Sequence, residues 1–168
     1  MTTYAVTAVG PDAPGEVAAL AEALAALGAN LEDASMTRLR GHFAMTVVVA
    51  VEAPQEAVED ALAAAGTGLH VSVWEVAADV PGGGKGALWR VTAHGADRPG
   101  LVAGVARTVA EHGGNITDLT CRLAGGLYVM TLEVDLLPGA AGLGPALGAV
   151  ATSLGVTVHL APVDTDVL

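Results

Sequence analysis

The sequence predicts an α+β fold of two similar units, each with the element order β-α-β-β-α-β. Three observations support this prediction. The chain aligns with itself at an offset of 85 residues. Its apolar residues alternate in some stretches, as in strands, and recur at helical spacing in others. Glycine or proline stands at the boundaries between these stretches. Tyr4–Val47 aligns with Trp89–Leu132 without a gap, and 17 of these 44 pairs are identical. A period of this length in only two copies indicates a duplicated domain rather than a solenoid.

The first unit begins with a β-rich stretch, Tyr4–Val9, that ends at a glycine. Apolar residues at helical spacing then predict a helix over Pro14–Leu27, with Asp12 as its N-cap and Pro14 near its first turn. Gly28 is predicted to end this helix as its C′ residue. The later elements are predicted as strands Leu31–Arg38 and His42–Val51, joined by a turn near Arg40-Gly41, then helix Pro54–Ala65 and strand His70–Val76.

The second unit repeats the same order. We predict the first unit over residues 1–78, a flexible linker rich in glycine and proline over residues 79–87, and the second unit over residues 88–168. The predicted elements of the second unit are strand Leu88–His94, helix Pro99–His112, strands Ile116–Leu123 and Leu127–Leu136, helix Ala140–Leu154 and strand Val156–Pro162.

This order of elements predicts a four-stranded antiparallel sheet with both helices on one face, because right-handed crossovers leave few alternatives. The other face is then uncovered. Strand Phe43–Val51 is apolar on both of its sides, which is typical of a strand buried on both faces. We therefore expect units or chains to pair through sheet edges or open faces. The corresponding strand of the second unit is more polar outward, with Thr131, Glu133 and Asp135.

Charge and composition exclude several classes of function. The chain has a formal net charge of -11 and seven Lys and Arg residues in total, too few for a basic patch that would bind nucleic acid or an anionic membrane. The longest strongly apolar run, Phe43–Val51, is too short to span a bilayer. The N-terminal residues lack the basic region of a signal peptide. These features predict a cytoplasmic protein.

The cysteine and histidine content predicts neither a disulfide nor a metal site. Cys121 is the single cysteine, so an intrachain disulfide and a thiolate metal cage are excluded. The five histidines show no spacing typical of metal ligands. No Ser-His-Asp or Cys-His arrangement and no cofactor motif is evident, and we predict a protein without catalysis, metal or cofactor.

A candidate ligand site lies where the first strand of each unit meets the following helix. In the second unit Asp97 follows the strand and Gly100 opens the helix, whose first N–H groups lack intrahelical partners and suit a carboxylate. Asp97 can accept hydrogen bonds from an ammonium group. Asn115, at the start of the next strand, is expected in the same corner with both a donor and an acceptor. The corresponding residues of the first unit are Asp12, Gly15 and Asn30.

A purely structural role for these residues is the alternative. Asp97 then caps the helix and Asn115 caps the turn after two glycines, and one carboxylate can serve both roles. Arg98 either reaches a ligand carboxylate or is solvated. A ligand of glycine size gains about 7.5 kcal/mol at most, which limits its dissociation constant to about the micromolar range.

The motif D-x-P-G, followed by G-x-N-I/L at the start of the second strand, resembles the ACT domain. It occurs in both units, as DAPG with GANL and as DRPG with GGNI. The stretch Asn30–Val49 resembles the first domain of the tandem-ACT glycine cleavage system transcriptional repressors. The resemblance implies two ferredoxin-like domains in tandem and sensing of a small molecule, usually an amino acid, at interfaces between ACT units. The ligand-binding residues that it implies are Asp97, Arg98, Gly100, Asn115 and Ile116 in the second unit, and Asp12, Gly15, Asn30 and Leu31 in the first.

The resemblance also implies a partner. The repressor relatives lack a DNA-binding domain and act through a partner activator, which agrees with the acidic charge of this chain. Serine-binding relatives carry His and Asn where this chain has Gly95 and Asp97, which disfavours serine as the ligand. We expect a homodimeric, non-catalytic regulator that senses glycine or a similar amino acid. The alternatives are a dimerisation adaptor without a ligand, an acyl-phosphate-type enzyme and an RNA-recognition module. This chain lacks the Arg-bearing loop that an acyl-phosphate-type enzyme requires. It also lacks the basic surface with exposed aromatic residues that an RNA-recognition module requires.

Overall fold

In a computed structural model of the chain, which describes residues 1–77, 86–137 and 142–163, the chain divides into two compact units, Met1–Val80 and Pro81–Leu168. Each unit has the predicted order of elements. Residues 79–85 of the predicted linker lie outside the described residues, and the first strand of the second unit begins at Ala87. The exact domain boundaries therefore stay a prediction.

Unit 1 contains one four-stranded antiparallel sheet in the order β2-β3-β1-β4. Alternate residues of β1 and β3, such as Val6 and Val47, pack in one core with Leu24 of α1 and Leu62 of α2, so both helices cover the same sheet face. The elements are β1 Thr2–Pro11, α1 Glu16–Ala26, β2 Asn30–Leu39, β3 His42–Val51, α2 Gln55–Ala64 and β4 His70–Val76.

Unit 2 repeats this architecture with the sheet order β6-β7-β5-β8. Its core joins Val91 and Leu132 of the sheet to Val109 and Leu147 of the two helices. Ala140, where we predicted the last helix to begin, lies outside the described residues. The elements are β5 Ala87–Ala96, α3 Leu101–Glu111, β6 Gly114–Ala124, β7 Leu127–Leu136, α4 Leu143–Leu154 and β8 Val156–Pro162.

The two ends of α1 differ in how well the sequence predicted them. Gly28 is its C′ residue as predicted, with a φ of 72°. The N–H of Gly28 donates to the Ala25 carbonyl at 2.9 Å and the N–H of Ala29 donates to Leu24 at 3.1 Å, the two bonds of a Schellman motif. The prediction that Asp12 is the N-cap is wrong. Gly15 holds that position, no side chain caps the helix, and Asp12 lies three residues too early to reach the first N–H groups.

The faces of β3 differ in burial. Phe43, Val47 and Val49 on the helix-covered face are at most 3% exposed. On the outer face Ala50 is buried, Ala44 and Val48 are half-buried, and His42 and Thr46 are exposed. Pairing through this face or through sheet edges stays a prediction.

Among the residues that the structure describes, no helix has both the length and the apolar character needed to cross a membrane.

Candidate ligand-binding site

The strand-to-helix loops of the two units have the same backbone geometry. Gly15 opens α1 with a φ of 95°, and Gly100 opens α3 with a φ of 91°. Each glycine carbonyl accepts the first helical hydrogen bond, from Ala19 at 2.9 Å and from Gly104 at 2.8 Å. The first N–H groups of each helix have no intrahelical acceptor. That of Leu101 donates to the Arg98 carbonyl at 3.4 Å, and the other first-turn amides are donors at the positive end of a helix.

In unit 1 the carboxylate beside this loop is engaged by the protein itself. The Nη1 atom of Arg38 lies 3.3 Å from the Oδ2 atom of Asp12. The main-chain N–H of Asp12 donates a hydrogen bond to the Gly41 carbonyl at 3.0 Å. Arg38 is near the end of β2 and Gly41 is in the hairpin that follows it. Asp12 therefore connects the loop before α1 to the β2-β3 hairpin. This structural role was not predicted from the sequence.

A groove of about 440 Å³ runs between this loop, α1 and β2. It contains Asp12 and Gly15 of the predicted site, whereas Asn30 and Leu31 do not line it. Sequence reasoning missed Met36 and Phe43, although the alternation of the β2 and β3 side chains places both on the helix-covered face. The lining residues are Asp12, Ala13, Gly15, Glu16, Val17, Ala18, Ala21, Met36 and Phe43.

Glu16 adds a second carboxylate to this groove. It is the acidic residue in the first turn of α1, where the helix dipole favours negative charge. Its Oε2 atom is buried and has no hydrogen-bond partner among the described residues. The N-terminus of α1 therefore already has an anionic group beside it.

The corresponding surface of unit 2 has different side chains. At the 85-residue offset, Met36 and Phe43 are replaced by Cys121 and Tyr128. An interaction of the Tyr128 hydroxyl with the Cys121 side chain, together with burial and the negative charge of Asp97, raises the pKa of Tyr128 from 10.0 to about 12. Tyr128 therefore keeps its proton in the neutral pH range and remains a hydrogen-bond donor.

The phenol of Tyr128 is expected to titrate near pH 12, and in a Cys121→Ala variant its pKa is expected to move back toward 10.0, because the largest cause of the shift is removed. Since folding raises this pKa, the contribution of the neutral phenol to stability is complete below pH 10 and is lost as the pH rises from 10 to about 12. The difference in phenolate absorbance between the wild type and Tyr128→Phe isolates this group from Tyr4. An unchanged midpoint in Cys121→Ala would contradict the assigned cause.

The prediction that Asn115 shares a corner with Asp97 is wrong. Asn115 pairs with Asp135 of β7, whereas Ala96, which precedes Asp97, pairs with Leu127 at the other end of the same strand. Eight residues of an extended strand separate the two positions, about 26 Å. Each helix carries the chain back along the sheet, so the next strand begins at the end opposite the loop.

The first unit has the same separation. Asn30 pairs with Ala50 near the end of β3, whereas Pro11, which precedes Asp12, pairs with His42 at its start. Leu31 and Ile116 are next to the asparagines in sequence and lie at that end of their sheets too. Within each unit, the predicted site is thus divided between two ends of the sheet.

Arg98 remains at the loop end of unit 2. Its side chain is exposed, and its guanidinium carbon is 3.5 Å from the point that a Cβ on Gly155 would occupy. Gly155 ends α4, where helix carbonyls favour a positive charge. Among the described residues, no three His, Cys, Asp or Glu side chains lie close enough together to hold a metal ion.

Two sheets of this topology, each with a glycine-opened loop between its first strand and first helix, define a tandem of ferredoxin-like domains. Models of the ACT domain match residues 2–73 and 89–143, one in each unit. The chain belongs to the ACT-domain family, and it carries two such domains in tandem.

Two solved structures match the chain over nearly its full length. One is a protein of unknown function from Galdieria sulphuraria, with a TM-score of 0.80, 28% identity and coverage of 97% of this chain and 99% of that one. The other is assigned as a glycine cleavage system transcriptional repressor, with a TM-score of 0.75, 17% identity and 98% coverage of both chains. At that identity, the second match shows the fold alone.

A curated relative matches a shorter segment. It is a UPF0237 protein of Methanopyrus kandleri, 48% identical over 46 residues. The match covers 27% of this chain and 51% of the relative, so the chain spans about half the length of that protein.

Proposed function

We propose that this chain is a non-catalytic regulatory protein that binds a small amino acid, glycine or a similar one, through its ACT domains. The strand-to-helix loop carries this proposal. In both units a glycine with positive φ opens a helix, and an aspartate stands three residues before it. Amide donors at a helix N-terminus suit a carboxylate, and a nearby aspartate suits an ammonium group. The combination matches the two charges of an amino acid.

We propose that the protein acts through a protein partner and does not bind DNA directly. Its charge of -11 opposes binding to a phosphate backbone. The motifs that resemble the tandem-ACT repressors, which act through a partner activator, support a partner that regulates transcription in amino-acid metabolism, and a solved structure assigned to that group shares this fold. We further propose that the protein works as a homodimer in the cytoplasm.

Amino-acid binding is expected to raise the melting temperature. All twenty amino acids are screened against the full-length protein by thermal denaturation. At a free concentration ten times the dissociation constant, a ligand that binds only the native state contributes about 1.4 kcal/mol, which corresponds to several degrees for domains of this size. N-acetylglycine, which lacks the ammonium group, is the matched control for glycine and is expected to give a smaller shift.

Asp97→Asn and Asn115→Ala are measured separately, because the structure places the two side chains at opposite ends of their sheet. A smaller shift in Asp97→Asn alone assigns binding to the loop. Smaller shifts in both variants are expected if two copies of the chain complete the site, one giving the loop and the other the asparagine. No shift with any amino acid would overturn the proposal and favour a dimerisation adaptor without a ligand.

A further inference from the structure

We propose that unit 2 is the unit that binds the amino acid, and that in unit 1 the chain's own Arg38 pairs with the loop aspartate while Glu16 adds a second carboxylate beside the helix N-terminus. This inference rests on the proposed function and adds to it the unit that holds the ligand. It follows from a comparison of the two loops at the 85-residue offset.

The first position is beside the loop aspartate. In unit 1 the Arg38 guanidinium lies 3.3 Å from the Asp12 carboxylate, so a cationic nitrogen already occupies the place of a ligand ammonium. The Asp12 side chain is 28% exposed and that of Arg38 is 68% exposed. The ion pair is therefore partly solvated, and its aspartate is one of the residues that line the groove. An incoming ammonium would have to displace a guanidinium that cannot lose its charge.

The second position is at the helix N-terminus. In unit 1 the Glu16 carboxylate lies in the first turn of α1 and lines the groove, with one oxygen buried. A ligand carboxylate placed there would meet a charge of the same sign at short range. In unit 1 a cation thus already pairs with the loop aspartate, and a carboxylate that makes no hydrogen bond to the helix amides lies beside the helix N-terminus.

Unit 2 has leucine at both corresponding positions. Leu123 replaces Arg38, and Leu101 replaces Glu16. Leu101 is 2% exposed and packs in the core, and α3 has no acidic residue in its first turn. Neither leucine can neutralise Asp97 or oppose a ligand carboxylate, so no side chain at these two positions competes with either charge of a ligand.

The other cations near Asp97 have different contacts. Arg98 lies against Gly155 at the end of α4, and Arg122 donates to the Cys121 carbonyl at 2.9 Å. Among the described residues, Asp97 makes no side-chain hydrogen bond or ion pair. The negative charge of Asp97 also helps to raise the pKa of Tyr128, which stands where unit 1 has Phe43. The expected ligand is therefore a small zwitterion whose ammonium binds Asp97.

Calorimetric titration of the full-length protein tests this inference, with glycine, alanine and serine as the probes. We expect one amino acid to bind per chain. Asp97→Asn is expected to weaken binding about 10- to 100-fold, the usual cost of losing a charged hydrogen bond. Asp12→Asn is the corresponding change in unit 1, and a smaller effect than that of Asp97→Asn is expected because Asp12 is already paired with Arg38.

Exchanging side chains between corresponding positions of the two units tests whether Arg38 and Glu16 prevent binding in unit 1. Leu123→Arg is expected to place a guanidinium beside Asp97 and to weaken binding about tenfold or more. Leu123→Ala controls for loss of the leucine and is expected to bind normally. Leu123 is 43% exposed, so both variants are expected to fold, and thermal denaturation checks this. The double variant Arg38→Leu/Glu16→Leu is expected to bind two amino acids per chain.

The outcomes separate the two proposals. Binding of two amino acids per wild-type chain, or equal losses in Asp12→Asn and Asp97→Asn, would overturn the assignment to unit 2 and leave the proposed function standing. If neither the wild type nor the double variant binds any of the three probes, both proposals fall. Binding in the double variant alone would overturn the open site of unit 2.

Discussion

Replacing Phe43 by alanine is expected to lower the free energy of unfolding of unit 1 by about 3–5 kcal/mol. The side chain is 1% exposed and is among the largest fully buried ones in the chain. It packs in the core of unit 1 and forms part of the groove beside Asp12. Its removal leaves a cavity that the surrounding β-sheet can close only in part, because each strand is held by hydrogen bonds to its neighbours.

Urea denaturation followed by tryptophan fluorescence measures this effect. Each unit contains one tryptophan, Trp74 in β4 and Trp89 in β5, so a Trp89→Phe background makes the signal report on unit 1. Phe43→Leu is the control, and it is expected to cost less than half as much because most of the volume is kept. A loss below about 1 kcal/mol in Phe43→Ala would contradict the burial of this side chain.

Replacing Gly100 by valine is expected to lower the free energy of unfolding of unit 2 by about 2–3 kcal/mol. Gly100 has a φ of 91°, a conformation that a β-branched residue avoids. Apart from its two neighbours in the chain, none of the described residues has a heavy atom within 4 Å of the position that its Cβ would take, so the penalty comes from the backbone and not from a clash at that atom. The same substitution displaces the first amide groups of α3 and is expected to weaken amino-acid binding.

Gly148→Ala is the matched control for this strain. Gly148 is inside α4 and is exposed, and the point that its Cβ would occupy likewise has no neighbouring atom within 4 Å. Alanine favours the helix, so this variant is expected to be more stable than the wild type by about 0.5–1 kcal/mol. Fluorescence of Trp89 in a Trp74→Phe background reports both changes. If Gly100→Val and Gly148→Ala shift stability in the same direction, the left-handed conformation of Gly100 is contradicted.

The candidate site was only partly predictable from sequence. The loop itself followed from a motif of four neighbouring residues, which is local information. The residues that contact the loop from other parts of the chain did not follow from this motif. Arg38 reaches Asp12 from 26 residues further along the chain, and the contact depends on the hairpin returning to the same end of the sheet. Asn115 was assigned to the wrong end, although the predicted antiparallel sheet already requires each helix to carry the chain back to the end where the preceding strand began.

The sequence by itself determined the duplicated β-α-β-β-α-β order, the turn near Arg40-Gly41 and the glycine that ends α1, because periodicity and turn residues act over a few neighbouring positions. Only the tertiary structure decided which charged side chains meet. It brought Arg38 to Asp12 in one unit and placed Leu123 at the same position in the other. Such pairs depend on distances across a folded sheet, and residue spacing along the chain does not specify them.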